Sequence, residues 1–134
     1  MIIKEISLEE ALPVRHLAMW PDKDLDFVRV PGDEEATHLG LFANRELISV
    51  VSVFKKEEGA QFRKFATLPK HQGKGYGSKL LVYMIGFMQK KDVPKIWCNA
   101  RVSKIDFYSN FGLVTTPKTF QKAGLDYVVM EKVL

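Results

Sequence analysis

The 134-residue sequence has one cysteine, three histidines and no long apolar run. Cys98 alone cannot form an intramolecular disulfide, and His16, His38 and His71 lack the close spacing of metal ligands. The uncharged apolar stretch over residues 80–89 is about half of the roughly 20 residues that a membrane-spanning helix needs. We therefore expect no metal site and no membrane partner.

Two further patterns are missing from the chain. The N-terminus lacks the charged and then apolar layout of a secretory signal, which favours a cytoplasmic protein. The sequence also lacks the G-x-S-x-G turn of a serine hydrolase. With 46% hydrophobic and 27% charged residues, the composition is typical of one globular domain, so we expect a single domain over residues 1–134.

Acidic residues are scarce in the middle of the chain. Residues 1–62 have 7 Lys and Arg against 12 Asp and Glu, residues 63–104 have 10 against 1, and residues 105–134 have 3 against 3. The basic block is compatible with nucleic acid, but no RNA- or DNA-binding motif accompanies it. A phosphorylated small ligand explains it better, although Lys90, Lys91 and Lys95 are equally explained as a solvated surface.

Hydrophobic periodicity predicts the order β-α-β-β-β-α-β-α-β-β. The first helix is expected to begin after Ser7, with Glu10 completing a capping box, and to kink or restart at Pro13. A hairpin is predicted between residues 38 and 54, and a third strand over residues 60–67. Residues 21–37, rich in Asp, Glu, Pro and Gly, are predicted to form a loop or a short irregular helix.

The second half of the chain has its own signals. Apolar residues at helical spacing predict a long helix behind Gly77. A strand is expected over residues 95–99, then a helix capped by Ser103 and ended by Gly112. Strands over residues 113–115 and 125–133 are expected to close the chain. The fold class is thus α/β, with a mixed, mostly antiparallel sheet and helices on both faces.

A glycine-rich loop between a strand and the long helix is the best candidate for a binding site. Its glycines alternate, which frees backbone N–H groups to point at one anion near the start of a helix. The spacing matches neither the dinucleotide-binding G-x-G-x-x-G pattern nor the P-loop. The segment comprises His71, Gln72, Gly73, Lys74, Gly75, Tyr76, Gly77 and Ser78.

This loop, with its Q-x-x-G-x-G spacing, resembles the acetyl-CoA motif of the GCN5-related N-acetyltransferases, the GNAT family. Residues 106–113, DFYSNFGL, are similar to that family's F-Y-x-x-x-G-F segment, and the element order matches over nearly the whole chain. The resemblance implies the acyl-CoA N-acyltransferase fold and an enzyme that transfers acetyl from acetyl-CoA to a primary amine.

The resemblance also implies roles for individual residues. Backbone N–H groups of residues 72–78 would hold the CoA pyrophosphate, and Phe65, Ala66 and Thr67 would pair with the pantetheine arm. Tyr108 would protonate the leaving thiolate. The alternative for Tyr108 is a core aromatic residue beside Phe107 and Phe111.

Two positions depart from the family pattern. Arg101 stands where many members have an asparagine seven residues before the tyrosine, and Lys104 stands where they have an alanine. Because both replacements are basic, we expect one of them to contact a phosphate of CoA. Leu113 in place of phenylalanine is conservative in packing.

Acetyl transfer needs a neutral amine, whereas a lysine-like ammonium has a pKa of about 10.4. A base or a water chain must therefore remove a proton. His38 is the first candidate, alternatively a structural histidine, and the others are His71, Asp33, Glu34 and Glu35. Cys98 could accept acetyl covalently, but a buried, inert thiol and direct transfer in a ternary complex are favoured.

The acceptor is less well specified by the sequence. A small-molecule amine is predicted first, with a protein lysine or N-terminus as the alternative. The acidic residues of positions 1–62 could attract a cationic amine or serve only for solubility. A non-catalytic acyl-CoA-binding module and a nucleic-acid-binding domain are the rivals of other classes. A homodimer formed through the last strands is possible by analogy with the family.

Overall fold

A computed structural model describes all 134 residues. The first half contains β1 (Ile2–Ile6), α1 (Leu8–Met19), β2 (Thr37–Ala43), β3 (Glu46–Lys56) and β4 (Gly59–Thr67). The second half contains α2 (Tyr76–Lys90), β5 (Lys95–Arg101), α3 (Ile105–Ser109), β6 (Val114–Lys122) and β7 (Leu125–Val133). This is the predicted order of elements. No helix combines the length and the apolar character needed to cross a membrane.

Local sequence signals set the first elements. Ser7 Oγ accepts from the Glu10 N–H at 3.1 Å and the Ser7 N–H donates to Glu10 Oε1 at 3.0 Å, so the predicted capping box is confirmed. The predicted restart at Pro13 is wrong, because α1 continues through this exposed position to Met19. Asn44 and Arg45 both have positive φ, as a tight hairpin turn between β2 and β3 requires.

Two expectations in the second half need correction. Ser103 does not cap a helix: residues Val102–Lys104 form a 3-10 turn, and α3 begins at Ile105 without a side-chain cap. The strand expected over residues 113–115 runs instead from Val114 to Lys122, because β7 pairs with it on both sides of an irregularity between Thr115 and Thr119. Pro117 lies within that irregular stretch, where the ladder does not need its missing N–H.

The seven strands form one sheet in the order β1-β2-β3-β4-β5-β7-β6. All neighbours are antiparallel except β4 and β5. Alternating residues of β3 face opposite sides: Val51 packs in the 18-residue core cluster with α2, and Val50 packs with Ala11 and Val14 of α1. Helices therefore cover both faces, as predicted.

A buried ion pair fastens α1 to the irregular segment before β2. Arg15 is 0% exposed and Asp33 is 2% exposed. Two guanidinium nitrogens of Arg15 donate to the Asp33 carboxylate at 2.9 and 2.8 Å, and Nη1 also donates to the Val28 carbonyl. Burial opposes the charge of Asp33, but Arg15 and the Val30 N–H outweigh it and hold the pKa of this carboxyl below its usual value.

Removing one member of this pair is expected to be costly. Asp33→Asn leaves the Arg15 guanidinium buried without its counter-charge, so we expect a loss of about 3–5 kcal/mol in the free energy of unfolding, measured by urea denaturation. The control is Asp26→Asn, which breaks the exposed Arg29–Asp26 pair and should cost less than about 1 kcal/mol. Equal losses in the two variants would contradict the assignment.

Candidate active site

The two central strands β4 and β5 part from each other. Their parallel pairing is limited to Ala60 with Ile96 and Gln61 with Trp97. At the start of this pairing Gly59 has φ +149°, and a Cβ there would lie 2.1 Å from the Lys95 carbonyl oxygen. Beyond Gln61 the strands diverge, so the rest of β4 has no β5 neighbour and a groove opens through the sheet.

A cavity of about 300 Å³ lies between the diverging strands β4 and β5, and we call it the wedge cavity. It brings Tyr108 of α3 together with residues of both diverging strands and of α1 and β7. It is lined by Met19, Phe62, Arg63, Lys64, Phe65, Cys98, Asn99, Ala100, Arg101, Lys104, Tyr108 and Tyr127.

A second cavity, of about 430 Å³, lies over the glycine-rich loop, and we call it the loop cavity. Most of the predicted loop residues line it: His71, Gln72, Gly73, Gly75, Tyr76, Gly77 and Ser78. Lys74 is exposed in the same loop but is not part of the lining. The two cavities share Phe65 and Lys104, so they lie next to each other, and we call the two together the groove.

The start of α2 offers free backbone donors to the loop cavity. Gly73 and Gly75 have φ of +78° and +84°, a conformation that glycine adopts without strain. No side chain caps the helix and its first turn has no acidic residue. The first N–H groups of α2 and the positive end of its dipole are therefore available to an anion.

Side chains below the loop hold it in place. Gln72 Nε2 donates to the Thr67 carbonyl at 3.0 Å, which ties the loop to the end of β4. His71 is hydrogen-bonded to Glu46 at 3.0 Å, and Lys70 pairs with the same carboxylate at 2.9 Å. These two hydrogen bonds lower the pKa of Glu46. His71 thus anchors the loop on the β2–β3 hairpin.

Backbone alternation decides which residues of β4 face the groove. The Leu68 N–H donates to the Ile48 carbonyl at 2.9 Å, and Ala66 lies opposite Val50 two residues away. Antiparallel pairs alternate, so the main chain of Ala66 is directed at β3, while that of Phe65 and Thr67 is directed at the groove. Of the three residues predicted to pair with pantetheine, two have the required orientation.

Tyr108 stands at the wall of the wedge cavity. Its ring lies 5.9 Å from that of Phe62 and 5.2 Å from that of Phe107, so the ring is packed while the residue still borders the groove. Burial, with a smaller contribution from nearby Cys98, raises the pKa of Tyr108 well above its usual value. The phenol is therefore neutral at pH 7 and keeps its O–H as a hydrogen-bond donor.

Cys98 borders the same cavity but is 3% exposed. Burial raises the pKa of its thiol to about 12. A thiol with such a pKa contains almost no thiolate at neutral pH, and the thiolate is the nucleophilic form.

His38 lies away from the groove, in the buried network around Arg15. Its Nε2 is 2.9 Å from the Asp33 carbonyl oxygen, which can only accept, so Nε2 bears the proton. Its Nδ1 is hydrogen-bonded to Ser52 Oγ at 2.7 Å, and the same hydroxyl accepts from Arg15 at 2.9 Å. Both ring nitrogens are engaged, and His38 lines neither groove cavity.

Arg101 and Lys104, the two basic residues that depart from the family pattern, lie in different parts of the groove. Lys104 borders both cavities, whereas Arg101 borders the wedge cavity alone. The candidate carboxylates are outside the groove: Asp33 is held by Arg15, and Glu34 and Glu35 are exposed without lining either cavity.

Several residues that line the groove were not predicted from the sequence. Asn99 lines the wedge on the same strand face as Arg101, two residues before the expected asparagine position, and alternation along β5 could have indicated it. Lys64 has φ +55°, at a register shift between β3 and β4 that no sequence pattern announces. Met19 and Tyr127 reach the groove through long-range packing.

A larger cavity, of about 670 Å³, lies beyond the wedge on the β5–β7–β6 part of the sheet. Trp97, Val129 and Glu131 form its floor, and the β3–β4 turn and β6 border it. It shares only Asn99 with the wedge cavity and contains neither Tyr108 nor a loop residue. The predicted site residues Tyr108, Gln72 and Gly75 therefore lie at the groove and not at this larger cavity.

Comparison with known proteins agrees with this geometry. The family model described as an acetyltransferase (GNAT) domain matches residues 25–134. A search of curated protein sequences gives no match. By contrast, 423 chains of solved structures match the fold.

Three of these structures illustrate the likeness. A Lactobacillus plantarum protein assigned as an N-acetyltransferase is 17% identical, with a TM-score of 0.85 over 100% of this chain and 99% of its own. The ribosomal-protein-S18-alanine N-acetyltransferase of Escherichia coli is 16% identical, with a TM-score of 0.80 over 98% and 92%. A GNAT family acetyltransferase from Elizabethkingia anophelis, solved with acetyl-CoA bound, is 18% identical, with a TM-score of 0.76 over 99% and 97%.

At these identities the solved structures establish the fold, which is the predicted one. The match to the family model covers most of the chain and establishes the family. The chain therefore belongs to the GNAT family of acetyl-CoA-dependent acetyltransferases.

Proposed function

We propose that this chain, acting as a single domain over residues 1–134, transfers acetyl from acetyl-CoA to the primary amine of a small molecule by direct attack in a ternary complex. One observation is the main support: two adjoining cavities have the loop with free backbone donors at one end and Tyr108 at the other. A donor with phosphates at one end and a thioester at the other fits this layout.

The proposed position of CoA follows the groove. Its pyrophosphate lies against the N–H groups of residues 72–78, at the start of α2. Its pantetheine arm pairs with the groove-facing main chain of Phe65 and with the Thr67 N–H, as an added strand would, since the Thr67 carbonyl already accepts from Gln72. A Cβ at Gly77 would lie 3.1 Å from the Phe65 ring. Glycine at position 77 therefore lets the start of α2 pack closely against Phe65 of β4.

The proposed reaction has one chemical centre. The neutral amine attacks the thioester carbonyl carbon, a C–N bond forms, and the C–S bond breaks with its electron pair going to sulfur. Tyr108 donates its proton to the departing thiolate and regains one from water. The amine proton leaves through water in the groove, since the groove lining places no carboxylate or free histidine beside Tyr108.

The geometry also weighs against the rival mechanisms. The raised pKa of Cys98 disfavours an acetyl-cysteine intermediate. The hydrogen-bonded ring of His38 supports a structural role, as part of the Arg15 network. Tyr108 borders the cavity, which supports catalysis over a purely regulatory acyl-CoA-binding module. The wedge cavity is at the lower end of the size range of small-molecule sites, which supports a small acceptor over a protein.

Acetyl-CoA binding should depend on the loop glycines. At 100 times Kd, acetyl-CoA is expected to stabilise the protein by about 2.7 kcal/mol, seen as a rise of several degrees in Tm. Gly75→Val should abolish this rise, because the new side chain stands at φ +84° beside the phosphate position. Gly124→Val is the matched control: its φ is +77°, its surroundings are equally open, and it lies in the β6–β7 turn. Loss of the rise in both variants, or in neither, would refute the loop assignment.

Replacing Lys104 and replacing Arg101 should have different effects on the Kd of CoA. Lys104→Ala should weaken CoA binding roughly tenfold at low salt, because Lys104 borders the loop cavity. Arg101→Ala should leave the Kd of CoA nearly unchanged, because Arg101 borders only the wedge. Calorimetric titration of both variants measures this, and the reverse ranking would transfer the phosphate contact to Arg101.

Tyr108→Phe should separate chemistry from binding. We expect kcat to fall roughly 100-fold, with the Kd of acetyl-CoA within about twofold of the original value. Since burial raises the pKa of Tyr108, its acid form persists above the usual tyrosine pKa of about 10. The pH profile of kcat should therefore rise as the amine deprotonates and show no tyrosine-dependent fall below about pH 10. An unchanged kcat in Tyr108→Phe would remove Tyr108 from the mechanism.

A further inference from the structure

The wedge cavity is lined by four cations and no carboxylate. Arg63 and Lys64 come from β4, Arg101 ends β5, and Lys104 follows in the 3-10 turn. None of the four forms an ion pair within the protein. Such a lining repels a polycationic acceptor and attracts an anionic one.

Lys64 is the cation with the least favourable surroundings. It is only partly exposed. Burial lowers its pKa, and the positive charges of Arg63, Arg15 and Lys122 lower it further. Asp33 acts in the opposite direction but is already paired with Arg15. An anion bound beside Lys64 would offset this accumulated positive charge.

The phosphates of CoA do not account for Lys64. The loop that suits the pyrophosphate lines a different cavity, to which Arg63, Lys64 and Arg101 do not contribute. Apart from Arg63 beside it, the charges that act on Lys64 belong to α1, to the segment before β2, and to the end of β6. None of these elements forms the glycine-rich loop, so Lys64 lies on the side of the wedge cavity that the phosphates of CoA leave free.

The acidic residues of the first 62 positions do not reverse this charge. Asp22, Asp24 and Asp26 lie in the segment after α1, and all three are exposed. None of them lines the wedge cavity, whereas Met19, at the end of α1, does. The charge at the reacting end of the groove is therefore opposite to the one suggested by the N-terminal half of the sequence.

We propose that the acceptor is a primary amine that also bears an anionic group, a carboxylate or a phosphate, and that Lys64 with Arg63 and Arg101 binds this group. The inference rests on the proposed function, since it names the substrate class of the same site. Lys64 acts here as a residue that determines specificity, and Tyr108 still acts on the thiolate.

Matched amine pairs test the inference directly. The probes are para-(aminomethyl)benzoate against para-methylbenzylamine for the carboxylate, phosphoethanolamine against ethanolamine for the phosphate, and putrescine as the dicationic amine. We expect kcat/KM for the anionic member to exceed that of its neutral partner at least about tenfold in one of the two pairs, with putrescine the poorest substrate. The pair that shows the preference identifies the anionic group.

Variants of one residue complete the test. Lys64→Gln should reduce the anionic preference to within about threefold while leaving the Kd of acetyl-CoA unchanged, and Lys64→Arg should retain the preference. Lys90→Gln, an equal charge change at the exposed end of α2, should behave as the original protein. Unchanged acetyl-CoA binding shows that each variant is folded.

The possible failures are distinguishable. Turnover that favours neutral amines or putrescine, or a preference that Lys64→Gln leaves intact, overturns the inference and leaves the proposed acetyl transfer standing. Absence of turnover with every amine, although acetyl-CoA binds, overturns the proposed function and this inference with it.

Discussion

The separation of β4 from β5 is the constraint on which the rest of the site depends. Two residue pairs join these strands, and Gly59 against the Lys95 carbonyl fixes where they meet. Beyond that point the inner edge of β4 has backbone donors and acceptors without a strand partner, in the middle of the sheet and not at its border. Unpaired buried backbone groups are costly, so this edge favours a ligand that completes the ladder.

The second requirement is that the acceptor side of the wedge stays open. Here the Arg15 network is important, because it joins α1 to Val28, Asp33 and Ser52 and so fixes the segment between α1 and β2. Met19, at the end of the same helix, lines the wedge. A buried network with directional hydrogen bonds defines the position of a helix end more closely than apolar contacts do, although it contributes less to stability than its geometry suggests.

Local patterns in the sequence predicted the order of elements, the capping box and the glycine-rich loop, because each depends on residues close together in the chain. The length of β6 and the parting of β4 and β5 depend on pairing between distant segments, so periodicity could not reveal them. The same limit explains His38 and Asp33. As isolated polar residues they resembled candidates for a base, whereas the fold buries them as partners of Arg15 and Ser52.

One physical effect, burial, assigns different roles to the two titratable groups of the wedge wall. Removing Tyr108 and Cys98 from water disfavours the charged form of each and raises both pKa values. For a cysteine this removes the thiolate that a covalent intermediate needs, so the apolar wall favours direct attack. For a tyrosine it keeps the phenol neutral, so Tyr108 still has a proton for the departing thiolate, although the raised pKa makes it a weaker acid. The cations that line the same cavity remain as the groups that can distinguish one amine from another.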